Sequence, residues 1–201
     1  MENLNLTDRI AALAEPLLSS LGLALWGIEY LPGSRAVARL YIERAGLSAG
    51  MDSEEAGIDE CAQASRLIGL ALEVEDFIPS AYVLEVSTPG LERRFFRPAQ
   101  LAAAQGRRVE VTLSEAVNAN GRKKYAGCLV EGRITESGDW RFDLTVDEPA
   151  AAEEARLAFL WSKTRQARQL YDPPAKEKPG KKSGGKPGAE PAPAQARKRN
   201  G

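Results

Sequence analysis

Glu85 and Arg93 flank the residues Val-Ser-Thr-Pro-Gly-Leu-Glu. A carboxylate can move a proton without histidine, so a histidine-free enzyme using this pair is one reading. The same two side chains also read structurally, as an ion pair that pins a linker. The chain has 0 histidines, which removes Ser/His/Asp and Cys/His nucleophiles, His-ligated metals and imidazole acid–base chemistry. Neither GxxxxGK[ST] nor GxGxxG occurs, so nucleotide cradling has no signature. Cys61 and Cys128 form no CxxC and sit in apolar patterns, as small buried hydrophobes do. Glu54-Glu55 and Asp59-Glu60 fall at a loop and a helix start, where negative charge complements the helix dipole. No catalytic residue, cofactor or metal site is assigned, and a non-enzymatic role is the expectation. A histidine-free enzyme built on Glu85 and Arg93 would need a small-molecule pocket shared by both.

Binding chemistry is better represented. Arg122, Lys123 and Lys124 follow an Asn120-Gly121 hairpin tip, and Arg165 and Arg168 lie near the end of the patterned region. Such side chains suit phosphates; a hairpin tip is also basic when it is merely solvated. The net charge of -1 is unevenly spread: 7 Lys/Arg against 15 Asp/Glu in residues 1–96, 12 against 10 in 97–171, and 8 against 3 in 172–201. An acidic head and a basic tail point to a protein that meets both a basic protein and a polyanion, or to solvated faces. Trp26, Trp140 and Trp161 fall on apolar faces and read as core; Tyr125 is open to either core or base stacking.

The elements that must position these residues follow from periodicity. Leu6, Ile10, Leu13, Leu17 and Leu21 mark a helix capped by Asn5 or Thr7, bent at Pro16 and stopped at Gly22. Ala24, Trp26, Ile28 and Tyr30 share one face of a strand, and after a Leu31–Ser34 turn a second strand aligns Ala38, Leu40 and Ile42. Beyond a 46–57 loop, Ile58, Cys61, Ala62, Ser65, Ile68 and Leu72 give a second helix. Tyr82, Leu84 and Val86 then alternate with Val83, Glu85 and Ser87 in a third strand. Pro89 and Gly90 suit a type II turn that stops it, and Ser87 can bond the turn's backbone. This α-β-β-α-β unit, with both helices on one face of the sheet, forms an N-terminal domain over 1–96. A short helix from Pro98 to Gln105 reads as a hinge. The period then becomes two, with five short strands in about 65 residues, bending at Gly127. That is a small antiparallel barrel over 97–171, and the class is α+β. Residues 172–201, with 6 Pro and 5 Gly, cannot form a core and read as disordered. Such a tail, with a reach of about 30 Å, serves as a phosphate-seeking arm or a solubilising extension.

Tyr82-Val83-Leu84-Glu85-Val86-Ser87-Thr88-Pro89-Gly90-Leu91-Glu92-Arg93 resembles the signature of the RimP family of bacterial ribosome maturation factors. Ile58-Asp59-Glu60-Cys61, Ser65-Arg66 and Val74-Glu75-Asp76 resemble its second helix and following loop. The Gly127-Cys128-Leu129 bend and the Arg165–Arg168 end resemble its SH3-like or Sm-like C-terminal barrel. Arg94 and Phe95 stand where the family has Pro and Leu, and the 46–57 loop is longer. The resemblance spans residues 6 to 171 and implies a small (30S) subunit assembly factor in ribosome biogenesis. It implies engagement of the twelfth small-subunit ribosomal protein and nearby 16S rRNA on the immature subunit. The rigid Pro-Gly stop between two folds of opposite charge suggests, separately, that the two domains act as a clamp about the 91–97 linker. Glu85, Ser87, Pro89, Gly90, Leu91 and Arg93 form the linker motif, and Arg122, Lys123, Lys124, Arg165 and Arg168 the candidate RNA or ribosomal-protein contacts. A general Sm-like RNA-binding module is the alternative. No apolar run reaches the roughly 18 residues of a membrane span, and the N-terminus lacks a signal peptide's pattern. A cytoplasmic monomer is expected.

Overall fold

The structure, a computed structural model, describes residues 5–46, 56–117, 121–149 and 155–171. The tail from 172 read as disordered, Glu54-Glu55, most of the 46–57 loop and Asn120 of the hairpin tip lie outside the described residues. Asn5 caps the first helix: its side-chain oxygen accepts from the Asp8 amide at 2.9 Å and the Thr7 hydroxyl at 2.6 Å. Helix α1 (Leu6–Ser20) carries Pro16 internally and buries Ile10, Ala14 and Leu18. Gly22, at φ 71°, turns the chain into β1 (Leu23–Leu31), which pairs antiparallel with β2 (Ala36–Arg44). Helix α2 (Ile58–Glu75) crosses over to β3 (Tyr82–Ser87), which runs parallel to β2, as a βαβ unit requires. The sheet order is β1-β2-β3, and both helices cover one face, with Ile68 and Leu72 of α2 in one core with Leu40 and Ile42 of β2.

Two expectations about faces are corrected. In α2 the buried positions are Ala64, Ile68 and Leu72, while Ile58 is 89% exposed: it is the first helical residue, and its side chain points back beyond the helix end. In β1 a bulge falls between Leu25 and Gly27, so Trp26 has no partner in β2 and the alternation changes parity. Leu23, Leu25, Ile28 and Tyr30 therefore pack with the helices, while Trp26 turns to the opposite face and is buried in a second core.

That second core belongs to a six-stranded antiparallel sheet. Its members are β4 (Arg94–Phe95), β5 (Arg108–Leu113), β6 (Lys124–Ile134), β7 (Trp140–Val146), β8 (Arg156–Leu160) and β9 (Thr164–Gln169), in the order β4-β9-β5-β6-β7-β8. The end strands β4 and β8 do not pair with each other among the described residues. The last strand begins at Thr164, earlier than its apolar residues suggest, because a 3-10 turn at Trp161–Lys163 leads straight into it. Gly127 stands where β6 passes from β5 to β7; a β-carbon there would overlap the Thr145 carbonyl. Phe142 centres the aromatic part of the core, 5.6 Å from Phe159, 6.0 Å from Trp140 and 6.3 Å from Trp161. Helix α3 (Pro98–Ala103) closes one side with Leu101.

Candidate functional site

β3 ends at Ser87, and Gly90 supplies the positive φ, 69°, that the Pro-Gly turn needs. No atom outside its chain neighbours would meet a β-carbon at Gly90, so the demand for glycine is conformational. Leu91 follows, 63% exposed. Arg93 is 6% exposed. Its Nε donates to the Gly90 carbonyl at 3.4 Å, its Nη1 lies 3.9 Å from Glu43, and its guanidinium sits 5.0 Å from the Trp26 ring.

The Glu85–Arg93 ion pair is therefore not formed. The parallel register sets Arg39 directly beside Glu85, and Arg39 Nε donates to the carboxylate at 2.6 Å. The bond to Glu85 raises the Arg39 pKa above its ordinary value. Glu29, Arg39 and Glu85 thus form a row across all three strands, with Arg39 also 3.6 Å from Glu29. The turn meanwhile carries Arg93 toward the second sheet.

What was read as a hinge is a fastened bridge. Arg94 ion-pairs with Glu29, which also accepts from the Tyr41 hydroxyl at 2.9 Å. Burial lowers the Arg94 pKa, which the contact with Glu29 opposes by favouring the cation. Phe95 enters the second core 6.4 Å from Trp26, and Phe96 lies on Tyr41 at 5.6 Å, both packed against the margin of that core. Arg97 donates to the Leu25 carbonyl at 3.1 Å. Buried Gln100 joins everything: Nε2 donates to the Trp26 carbonyl at 2.7 Å, while Oε1 accepts from the Phe96 and Arg97 amides at 2.8 and 3.0 Å. Trp26 Nε1 completes the set by donating to the Arg94 carbonyl at 2.6 Å. The positions Arg94 and Phe95, where the sequence departs from the family pattern, are thus themselves part of the junction. Sequence reasoning missed Gly27, Glu29 and Gln100; a glycine inside β1 was the available signal, since such glycines mark close approach.

The basic side chains divide. Lys124 and Arg168 meet at Glu110, at 3.1 and 2.9 Å, and Arg168 also reaches Glu92 of the linker at 3.0 Å. Burial alone would raise the Glu110 carboxyl, but the bonds from Arg168 and Lys124 outweigh it and hold it below the usual range. Arg122 donates to the carbonyls of Lys124 and Glu148, both at 2.8 Å, and lies 4.8 Å over Tyr125, which is core. Lys123 donates to the Ser114 carbonyl at 3.2 Å, and Arg165 is exposed at the irregularity in β9. A cleft of about 330 Å³ opens beside the turn, lined by Gly90, Leu91, Arg93, Arg107 and Arg108. Among the described residues no group of three metal-ligating side chains occurs, and no helix is long and apolar enough to cross a membrane.

Three relatives fix the family. A ribosome maturation factor RimP of Nitratidesulfovibrio vulgaris strain DP4 is 45% identical over 164 residues, covering 81% of this chain and 88% of that protein. That of the Miyazaki F strain is 37% identical over 215 aligned residues, covering 95% and 93%. This chain belongs to the RimP family. The RimP of Lawsonia intracellularis is 32% identical over 179 residues, covering 85% and 90%. The profile of the RimP N-terminal domain matches residues 13–92, from within α1 to the residue before Arg93. The match ends just past the Pro-Gly turn, and the bridge from Arg93 to Gln100 follows it in the chain.

Proposed function

We propose that this chain is a non-enzymatic, cytoplasmic assembly factor for the small ribosomal subunit, acting as a monomer. In this reading it engages the twelfth small-subunit ribosomal protein and nearby 16S rRNA on the immature particle. The two folded domains are 1–96 and 97–171, the second an SH3-like or Sm-like barrel, with 172–201 as a basic tail. Membership of a family whose members are named ribosome maturation factors supports the role. The observation that carries the geometry is the bridge from Arg93 to Gln100. It holds an acidic unit and a sheet bearing Arg122, Lys123, Lys124, Arg165 and Arg168 in one arrangement, suited to a basic protein on one side and phosphates on the other. The linker motif Glu85, Ser87, Pro89, Gly90, Leu91 and Arg93 sets that arrangement instead of contacting a small ligand.

Co-sedimentation with immature and mature small subunits, at low and moderate salt, tests the reading. A version ending at Asp172 is run alongside. Preferential binding to immature particles that survives truncation is the expected result. Equal binding to both particles, lost with salt or with the tail, would leave only a general RNA-binding module.

A further inference from the structure

We propose that the outer edge of β3, with the groove between β3 and the end of α2, docks an extended basic segment of a partner protein as a fourth strand. β3 is terminal in the order β1-β2-β3, and no strand among the described residues pairs with its outer edge. The opposite edge of the sheet is different: Arg97 and Gln100 occupy the Leu25 and Trp26 carbonyls of β1. Edges left open in folded proteins are ordinarily blunted by proline, by charged side chains, lysine above all, or by a bulge. The residues Tyr-Val-Leu-Glu-Val-Ser of β3 contain no proline or lysine and pair with β2 without a bulge, and their one charge, Glu85, is held by Arg39 of β2.

The groove beside this edge encloses about 610 Å³ and is lined by Glu73, Asp76, Ile78, Tyr82 and Leu84, with no basic residue in its lining. The apolar lining of Ile78, Tyr82 and Leu84, two carboxylates and an open strand edge together specify the occupant. An added strand supplies main-chain bonds to the edge, and its alternate side chains point into the groove. A lysine or arginine there lays its aliphatic stem along Leu84 and brings its cation to Glu73 and Asp76. The chain's own tail fits poorly, since Pro173, Pro174 and Pro179 have no amide hydrogen to donate. The inference rests on the assembly-factor reading for the nature of the partner, a basic protein.

The probe is a synthetic peptide of about ten residues alternating lysine and valine, long enough to span an ordinary strand, titrated into the full-length chain by anisotropy. Amide hydrogen exchange of Tyr82–Ser87 is followed in parallel. The controls are the same peptide N-methylated at alternate residues and the variant E73K/D76N. Asparagine keeps the left-handed backbone of position 76, φ 43°. Slowed exchange along β3, with about tenfold or greater weakening by each control, is the expected result. Binding indifferent to N-methylation, or protection elsewhere, overturns the proposal. So does binding that appears only when the chain ends at Tyr171, which would make the tail the occupant. If the peptide fails while the wild-type chain still favours immature particles, the docking edge is wrong and the assembly role stands.

Discussion

The ring of Phe96 fills the space that a side chain would need at Gly27: a β-carbon built there overlaps Cγ, Cδ2 and Cε2. The linker approaches the first sheet this closely only because that strand position is bare. Gly27→Ala should destabilise the protein by about 1–3 kcal/mol, the usual cost of overpacking. Adding Phe96→Ala should return part of the loss. Urea unfolding of the two single variants and the double variant gives the coupling directly, and additive effects would contradict the contact.

Arg93→Ala removes the guanidinium from a carboxylate whose side chain is 9% exposed. A loss of about 3–5 kcal/mol is expected, as for breaking other buried pairs. Thermal unfolding checks it, and a change below about 1 kcal/mol, the range of surface pairs, would show that the pair is solvated.

At Gly90 nothing surrounds the missing β-carbon, so Gly90→Val should act through the backbone alone, by about 1–2 kcal/mol. The strained turn should also weaken binding to immature particles. A folded variant with unchanged sedimentation would remove the turn from the functional account.

Much of this architecture was legible. The Asn5 cap, the β1–β2 hairpin, the second helix and the Pro-Gly stop all follow from local signals that tertiary contacts did not override. The partners of Glu85 and Arg93 were not: the strand–helix–strand order makes β3 parallel to β2, but the register that sets Arg39 beside Glu85 is a long-range fact with no local trace. Trp26 was read correctly as core but on the wrong face, since strict alternation cannot anticipate a bulge. Gln100 carries no periodic signal at all; its role exists only once Trp26 and Phe96 converge on it.

The Glu110 carboxyl titrates below its unfolded value because Arg168 and Lys124 bind its charged form. A depressed acid contributes stability that is complete above its unfolded pKa and is lost as pH falls through the folded one. Unfolding free energy should therefore decline on acidification below the ordinary glutamate range. Glu110→Gln should flatten that decline, and parallel curves for the two proteins would exclude the contribution.

Arg165 and Arg168 should behave differently. Arg165 is exposed, so Arg165→Glu should weaken RNA binding and lower its salt dependence while leaving stability within about 0.5 kcal/mol. Arg168→Glu places a third carboxylate beside Glu110 and Glu92 and should lower the melting temperature as well. Filter binding and calorimetry on both variants separate the two roles.

The parity change at Trp26 has a temporal side. Its indole leaves the ribosome 68 residues before Arg94, whose carbonyl receives it. At about 5–20 residues per second, that is an interval of about 3 to 14 seconds. During it the nascent first sheet presents a bare indole beside an uncovered glycine. Until Arg94 and Phe95 follow, that indole has neither the carbonyl it donates to nor the ring it packs against.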